Sequence, residues 1–214
     1  MPITIDPAAT AGLVTREVRT GERAGAPTKI VVARRTYQAA RADVWDAVTG
    51  AERLPRWFAP VTGELRLGGR YHVQGNASGT VESCTPPESF GLTWEIGGGT
   101  SWVTVRLTEA GGGTVLELTH ESGVDPDFWT RFGPGAAGVG WDLALMGLGL
   151  HLATGEPNDP AEAEAWCVSP QGKEFVRPAA DDWARAAVAA GEQDDAAHAA
   201  ADQVFAFYTT PPEG

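Results

Sequence analysis

The chain has 214 residues, of which 43% are hydrophobic, so it can bury a core as one large domain or as a domain with an appendage. The formal net charge of −12 and the pI near 4.7 argue against a nucleic-acid or anionic-membrane surface, because such surfaces need a basic patch. Residues 155–214 carry 12 acids and 3 bases, a net −9, which is typical of a solvated helical surface.

The first third of the chain is predicted to contain a β-hairpin. Residues 1–12 have the composition of a loose lead-in. Leu13–Thr20 and Thr28–Tyr37 are rich in β-branched residues, and the Gly- and Pro-containing stretch between them suits a hairpin connection.

Two short helices are predicted to follow the hairpin. Ala42–Thr49 places its apolar residues at helical spacing. The stretch AERLPRWF predicts a second short helix, which Pro55 interrupts and which ends in the aromatic pair Trp57 and Phe58.

From Gly63 to Glu121 the apolar pattern changes to the period of two that strands require, with turns every eight to twelve residues. This is the pattern of a meandering antiparallel sheet with one apolar face. The predicted strands are Glu64–Leu67, Arg70–Gln74, Gly79–Cys84, Phe90–Ile96, Ser101–Glu109 and Thr114–Glu121.

The stretch from Gly138 to Gly155 is long and apolar enough to form one buried helix that covers this face. One helical face carries Trp141, Leu145, Leu148 and Leu152, and a second carries Gly140, Ala144, Gly147 and His151. Glycine inside a helix costs about 1 kcal/mol relative to alanine, so we expect a sheet, or room for a ligand, close to Gly147 and Gly149.

The same stretch has nearly the length of a membrane span, but Asp142 and His151 argue against that interpretation. We expect Asp142 to complement the helix dipole near the start of the helix.

After Gly155 the pattern is helical throughout, and Pro178 is expected to break or kink the middle helix. These helices carry too few large apolar residues for a separate core. We therefore expect two parts, 1–154 and 155–214, with the second packed on the first or on a second subunit.

Four segments together resemble the SRPBCC superfamily, which has the START-like helix-grip fold: DVWDAVTGAERLPRWF, LRLGGRYHV, ESCTPPESFGLTWE and GVGWDLAL. Within it the chain resembles the branch containing the C-terminal domain of the activator of the heat-shock chaperone ATPase. The likeness covers residues 28–154, and the tail is similar to bacterial members with a helical extension. It implies an α+β fold in which a curved antiparallel sheet grips a long C-terminal helix, with a cavity between them.

Such a cavity would be lined by aromatic and aliphatic side chains. The candidate ligand-binding residues are Trp57, Phe58, Trp94, His120, Trp141, Leu145 and Leu148. The alternative for each of them is ordinary core packing.

Acid–base chemistry would need two polar groups that face inward, and the candidates on the predicted strands are His72, Glu82, Glu95 and His120. On strand parity His120 points inward with Leu116 and Leu118, whereas Glu95 and His72 point outward. Nucleophile motifs and phosphate-binding glycine loops are absent, so no catalytic residue is assigned.

Cys84 and Cys167 lie far apart, and the four histidines show no metal-ligand spacing. The N-terminus lacks the basic and apolar regions of a signal peptide. We expect a cytoplasmic protein without a metal ion or cofactor.

Three functions remain open. The first is a module that encloses a small apolar or amphipathic ligand, and the second is a cyclase- or dehydratase-type enzyme that uses the same cavity. The third is a co-chaperone-like interaction module that uses the outer sheet face. A homodimer and a chaperone partner are compatible with the sequence, whereas nucleic acid and a membrane span are not expected.

Overall fold

Eight antiparallel strands form one sheet in the computed structural model, which describes residues 5–158 and 160–211. In chain order they are β1 (Val14–Arg23), β2 (Ala26–Tyr37), β3 (Val61–Gly63), β4 (Arg70–Val73), β5 (Ser78–Thr85), β6 (Ser89–Ile96), β7 (Gly99–Ala110) and β8 (Gly113–Gly123). Their order across the sheet is β1-β2-β8-β7-β6-β5-β4-β3. The strands from β3 to β8 are thus a meander, and the N-terminal hairpin joins it beside β8.

Seven α-helices accompany the sheet in the described ranges. They are α1 (Pro7–Ala11), α2 (Arg41–Thr49), α3 (Pro126–Phe132), α4 (Gly135–Thr154), α5 (Pro160–Val168), α6 (Pro170–Ala189) and α7 (Asp194–Thr209). A short 3-10 helix, Leu54–Arg56, follows α2. The predicted α+β helix-grip architecture is confirmed.

Side-chain alternation explains why α4 covers one face of the sheet. Val103, Val105 and Leu107 on β7 and Leu116 and Leu118 on β8 are buried on the inner face, as their parity predicts. The β7–β8 turn is tight because Gly111 and Gly112 both have positive φ (59° and 82°), which a two-residue hairpin turn favours.

Two side chains of β2 fix α4 to the sheet. The Arg35 guanidinium and the Tyr37 hydroxyl both donate to the carbonyl oxygen of Leu145, over 3.0 Å and 2.9 Å. α4 begins at Gly135, three residues before the predicted start, and ends at Thr154, where the following Gly155, with a left-handed φ of 71°, caps it.

By length and composition alone α4 could cross a membrane, and it is the one described helix of which this is true. Of its most apolar 18-residue window, 44% is buried inside the protein. A core helix has this property.

Three local predictions are wrong. Glu64–Leu67 alternates but forms no strand, because the segment that pairs with β4 is Val61–Gly63 and the chain then turns through Gly68. Around Pro55 only the 3-10 turn forms. In the lead-in, Asp6 accepts a hydrogen bond from the Ala9 amide and caps α1, while residues 1–4 lie outside the described part of the chain.

The C-terminal helices cover the part of α4 nearest its N-terminus. Phe175 and Trp183 of α6 are fully buried, and α6 packs on α1, α4 and β1. The helix continues through Pro178, so of the two predicted outcomes the break is absent and the kink stays a prediction. The division of the chain at residue 154 into two domains stays a prediction.

The glycines of α4 make room for neighbouring elements. A Cβ at Gly138 would overlap the Trp183 ring, and one at Gly140 would lie 2.8 Å from the Tyr208 hydroxyl. Towards the other end, a Cβ at Gly149 would lie 2.6 Å from Arg35 of the sheet. Gly138 and Gly140 therefore reflect helix packing, whereas Gly149 lies close to the sheet, one of the two reasons expected for it from the sequence.

Candidate functional site: an apolar pocket beneath the long helix

A pocket of about 310 Å³ lies between α4, the inner face of the sheet, and the segment that runs from α2 to β3. The sheet contributes side chains from β4 to β8, and α4 contributes Trp141, Ala144, Leu145 and Leu148. The volume is at the lower end of the range for small-molecule sites.

The wall of the pocket is apolar. Among the residues that the structure describes, its lining includes no Asp, Glu, Lys, Arg or His. Three polar groups in the wall are satisfied within the protein: the Tyr71 hydroxyl donates to the Thr93 carbonyl, the Thr49 hydroxyl to the Trp45 carbonyl, and the Trp57 indole to the Ala47 carbonyl. The wall therefore suits an uncharged guest.

The mouth is marked by lining residues that reach solvent. Leu65 is 38% exposed, and Cys84 and Pro86 are also exposed. On one side the mouth is bordered by Trp45 of α2 and Phe90 of β6, whose rings meet edge to face with centroids 5.9 Å apart. Part of the pocket lining is therefore open to solvent.

Six of the seven predicted ligand-binding residues line this pocket: Trp57, Phe58, Trp94, Trp141, Leu145 and Leu148. Their role in binding stays a prediction. The seventh, His120, lies behind Trp141 and borders a separate space of about 70 Å³ beside α3.

Both ring nitrogens of His120 are engaged within the protein. The Trp141 indole donates to Nδ1 over 3.0 Å. Nδ1 therefore carries no proton, and Nε2 is the nitrogen that donates to the Ser101 hydroxyl, 2.8 Å away. That hydroxyl in turn donates to the Trp94 carbonyl over 3.1 Å. Burial lowers the pKa of His120 to about 4, so the imidazole is neutral near pH 7.

The other acid–base candidates lie outside the pocket. Glu95 is paired with Arg70 on the outer face, and His72 and Glu82 are exposed. No group of three or more His, Cys, Asp or Glu is placed to hold a metal ion among the residues that the structure describes.

The segment that carries Trp57 and Phe58 is tied to the end of α4. Arg53 Nε donates to Nε2 of the buried His151 over 3.0 Å, and Arg56 donates to the Gly155 carbonyl. Asn158 donates from its backbone to the Arg56 carbonyl and from its side chain to the Gly147 carbonyl. This part of the pocket wall is therefore held by polar contacts on the side facing away from the pocket.

Asp142 has a different role from the one predicted. It is the eighth residue of α4, fully buried, and accepts hydrogen bonds from Arg16 of β1 at 3.0 Å and from the Trp183 indole at 2.9 Å. Burial raises its pKa to about 6, against the lowering effects of Arg16 and Trp183. Through these bonds Asp142 joins the hairpin, α4 and α6. It does not lie in the first turn of α4, because the helix begins three residues before the predicted start.

Sequence reasoning missed several wall residues, among them Trp45, Tyr71, Phe90 and Leu92. Tyr71 shares its parity with Val73 on β4, and Phe90 and Leu92 share theirs with Trp94 on β6. Strand parity could therefore have identified three of these four.

Residues 38–153 match the model of the family described as Activator of Hsp90 ATPase homolog 1-like protein. Comparison with curated proteins gave no match.

The chain is similar to CalU16 from Micromonospora echinospora. Its crystal structure is 29% identical with a TM-score of 0.65, covering 84% of this chain and 99% of CalU16. Its solution structure is likewise 29% identical with a TM-score of 0.69, covering 83% and 97%. These matches extend beyond the residues that the family model covers.

Two further structures share the fold. DynU16, described as a protein of the dynemicin biosynthetic locus, is 22% identical with a TM-score of 0.55, covering 60% of this chain and 48% of DynU16. MLL2253 from Mesorhizobium loti is 23% identical with a TM-score of 0.52, covering 58% and 96%.

Proposed function

Because this chain belongs to the Activator of Hsp90 ATPase homolog 1-like family, we propose that it is a binding protein that encloses a small apolar or amphipathic molecule between its sheet and α4. One observation carries the proposal: a preformed pocket with an entirely uncharged wall and a mouth that reaches solvent. At the packing density of crystals of small organic molecules, the pocket of 310 Å³ has room for a ligand of about 15 non-hydrogen atoms.

The geometry favours binding over cyclase- or dehydratase-type catalysis. A general acid–base mechanism needs groups within hydrogen-bond reach of the reacting atoms. Within residues 5–158 and 160–211 the wall supplies neither a carboxylate nor an imidazole, and the nitrogens of His120 are occupied by Trp141 and Ser101.

A co-chaperone-like role would use the outer sheet face. On that face Arg34 pairs with Glu17 and Glu117, and Arg70 pairs with Glu95. These charged side chains are already paired within the chain, whereas the pocket is a preformed space that a ligand could fill without breaking any of these pairs. The pocket is therefore the better-supported site.

Native mass spectrometry of the purified protein, and titration with the neutral fluorophore 1-aminoanthracene, test the proposal. Ala144 lines the pocket, and Ala153 is exposed on the same helix. We expect wild type and Ala153→Phe to bind the fluorophore with micromolar affinity, and Ala144→Phe, which fills the space, to bind at least tenfold more weakly. Equal affinity in all three would place the fluorophore outside the pocket.

A further inference from the structure

Three phenylalanine rings form a contiguous apolar patch on the surface, where α3 lies beside α7. Phe128 is 51% exposed and Phe207 is 64% exposed. The half-buried Phe132 lies between them, with its ring centroid 5.2 Å from that of Phe128 and 5.9 Å from that of Phe207. Single apolar side chains are common on protein surfaces, whereas a contiguous aromatic patch is typical of a binding surface.

The surface of α7 that adjoins Phe207 carries no charged side chain. Four exposed residues recur there at intervals of three and four positions, which places them on one side of the helix: Ala196, Ala199, Gln203 and Ala206. Two copies of a chain with a net charge of −12 repel each other. An uncharged surface is therefore the part of the molecule at which two copies can meet with the least repulsion.

Two opposite charges on α3 border the patch, and neither forms an ion pair within residues 5–158 and 160–211. Asp127 and Arg131 are both exposed and lie one turn apart on the same side of the helix. The Arg131 guanidinium lies over the Phe132 ring, 4.8 Å from its centroid. An antiparallel pair of α3 helices, with a twofold axis midway between these positions, brings Asp127 of each copy to Arg131 of the other. The patch is therefore complementary in charge to itself.

We propose that this patch is a homodimer interface, and that its partner is a second copy of this chain, which packs its own α3 and α7 on it about a twofold axis. The rings of Phe128, Phe132 and Phe207 form the apolar centre, since the core of a homodimer interface is rich in aromatic residues and poor in charges. Asp127 and Arg131 pair across the axis at the rim and fix the orientation of the two copies. None of these residues lines the pocket of 310 Å³, so dimerisation leaves its lining unchanged.

Sedimentation equilibrium over a series of protein concentrations tests the proposal. We expect wild type to dimerise with a micromolar dissociation constant. Phe207→Ser should raise that constant at least about tenfold, because aromatic residues at the centre of an interface carry much of its binding energy. Leu67→Ser is the matched control. Leu67 is 60% exposed on the loop between β3 and β4, at an edge of the sheet, so this variant should dimerise as wild type does.

An exchange of the two charges tests the antiparallel arrangement. Arg131→Asp alone should raise the dissociation constant about three- to tenfold, because it places like charges opposite each other on both sides of the axis. Adding Asp127→Arg to Arg131→Asp restores opposite charges across the axis, so the double variant should dimerise about as tightly as wild type. A dimer formed through another surface would show no such rescue.

Three results would overturn the proposal. The first is a wild-type protein that stays monomeric up to about 100 μM. The second is a dissociation constant that is the same in wild type and in Phe207→Ser, which would place the interface elsewhere. The third is a double charge variant that dimerises no better than Arg131→Asp alone. All the replaced side chains are exposed, so thermal melts should show that each variant folds as wild type does.

Discussion

The indole of Trp141 donates its N–H to Nδ1 of His120 across 3.0 Å, and this bond fixes which histidine nitrogen carries the proton. The same tryptophan presents part of its ring to the pocket. Trp141 therefore joins the wall of the site to the interior of the sheet, and a change at either residue should reach the other.

The buried, neutral His120 should make the protein less stable as the pH falls. Its pKa is about 4 in the folded protein and near 6.5 in an unfolded chain, so the unfolded state binds the proton more tightly. The free energy of unfolding should decrease from about pH 6.5 down to about pH 4, by up to about 3 kcal/mol.

Asp142 acts with the opposite sign, because its pKa is raised to about 6, and protonation between pH 6 and 4 favours the folded state. Urea melts of wild type and His120→Gln at each pH separate the two effects. The variant should lack the decrease in the free energy of unfolding that His120 causes at low pH. If the free energies of both proteins fell in parallel with pH, the decrease could not be assigned to His120.

Replacing Trp141 with alanine should cost about 2–4 kcal/mol. Part of the ring already faces the pocket, so the burial term is about 1–2 kcal/mol, and the unpaired His120 nitrogen adds about 1–2 kcal/mol. Trp141→Phe keeps an aromatic ring but loses the donor and part of the bulk of the indole, so it should show the second cost and a minor part of the first. Guanidinium melts give both values, and equal losses in the two variants would mean that the hydrogen bond dominates.

The sheet and α4 could be predicted because their patterns are local. Strand parity identifies the inner faces of β6 to β8, and an apolar stretch of helical length identifies α4. These patterns and the superfamily resemblance together predict one pocket lined by Trp94, Trp141, Leu145 and Leu148. All four residues line the same pocket in the structure.

Features that depend on distant partners could not be predicted in this way. Asp142 is paired with Arg16, which lies 126 positions earlier, and no periodicity links them. Glu64–Leu67 alternates like a strand, yet Leu65 and Leu67 are exposed and the neighbouring Val61–Gly63 pairs with β4. In both cases the outcome depends on which partner is available in space.

The ion pair between Asp142 and Arg16 should be costly to break. Both side chains are at most 2% exposed, so Asp142→Leu leaves a buried guanidinium paired only with Asp182. We expect a loss of about 3–5 kcal/mol. The double variant Arg16→Met with Asp142→Leu should recover much of it, because it leaves no lone charge.

Glu64→Ala is the control for that experiment, since Glu64 pairs with Arg66 on the surface and both are more than half exposed. It should change the free energy of unfolding by less than about 1 kcal/mol. A loss from Asp142→Leu as small as the control's would show that the buried pair contributes little to folding.

Replacing Gly138 with alanine should destabilise the protein, which is the opposite of the usual effect of this change in a helix. Alanine normally stabilises a helix interior by about 1 kcal/mol over glycine. At Gly138 the new Cβ would overlap the rigid, fully buried ring of Trp183, so α6 must move away from α4. That displacement strains the Trp183 hydrogen bond to Asp142 as well, and we expect Gly138→Ala to cost about 1–3 kcal/mol. Gly149→Ala is the comparison on the same helix, because its Cβ meets the buried Arg35 guanidinium, so any cost should fall on the bond from Arg35 to the Leu145 carbonyl and not on α6.

Hydrogen exchange would show where the cost of Gly138→Ala falls. If Trp183 is the reason, amide protection should drop in α6 and in the adjoining first half of α4 while the strands keep theirs. Double replacement with Trp183→Leu, which removes the obstructing ring, should make Gly138→Ala neutral or stabilising relative to Trp183→Leu alone. An equal cost of Gly138→Ala in both backgrounds would mean that the glycine is required by something other than α6 packing.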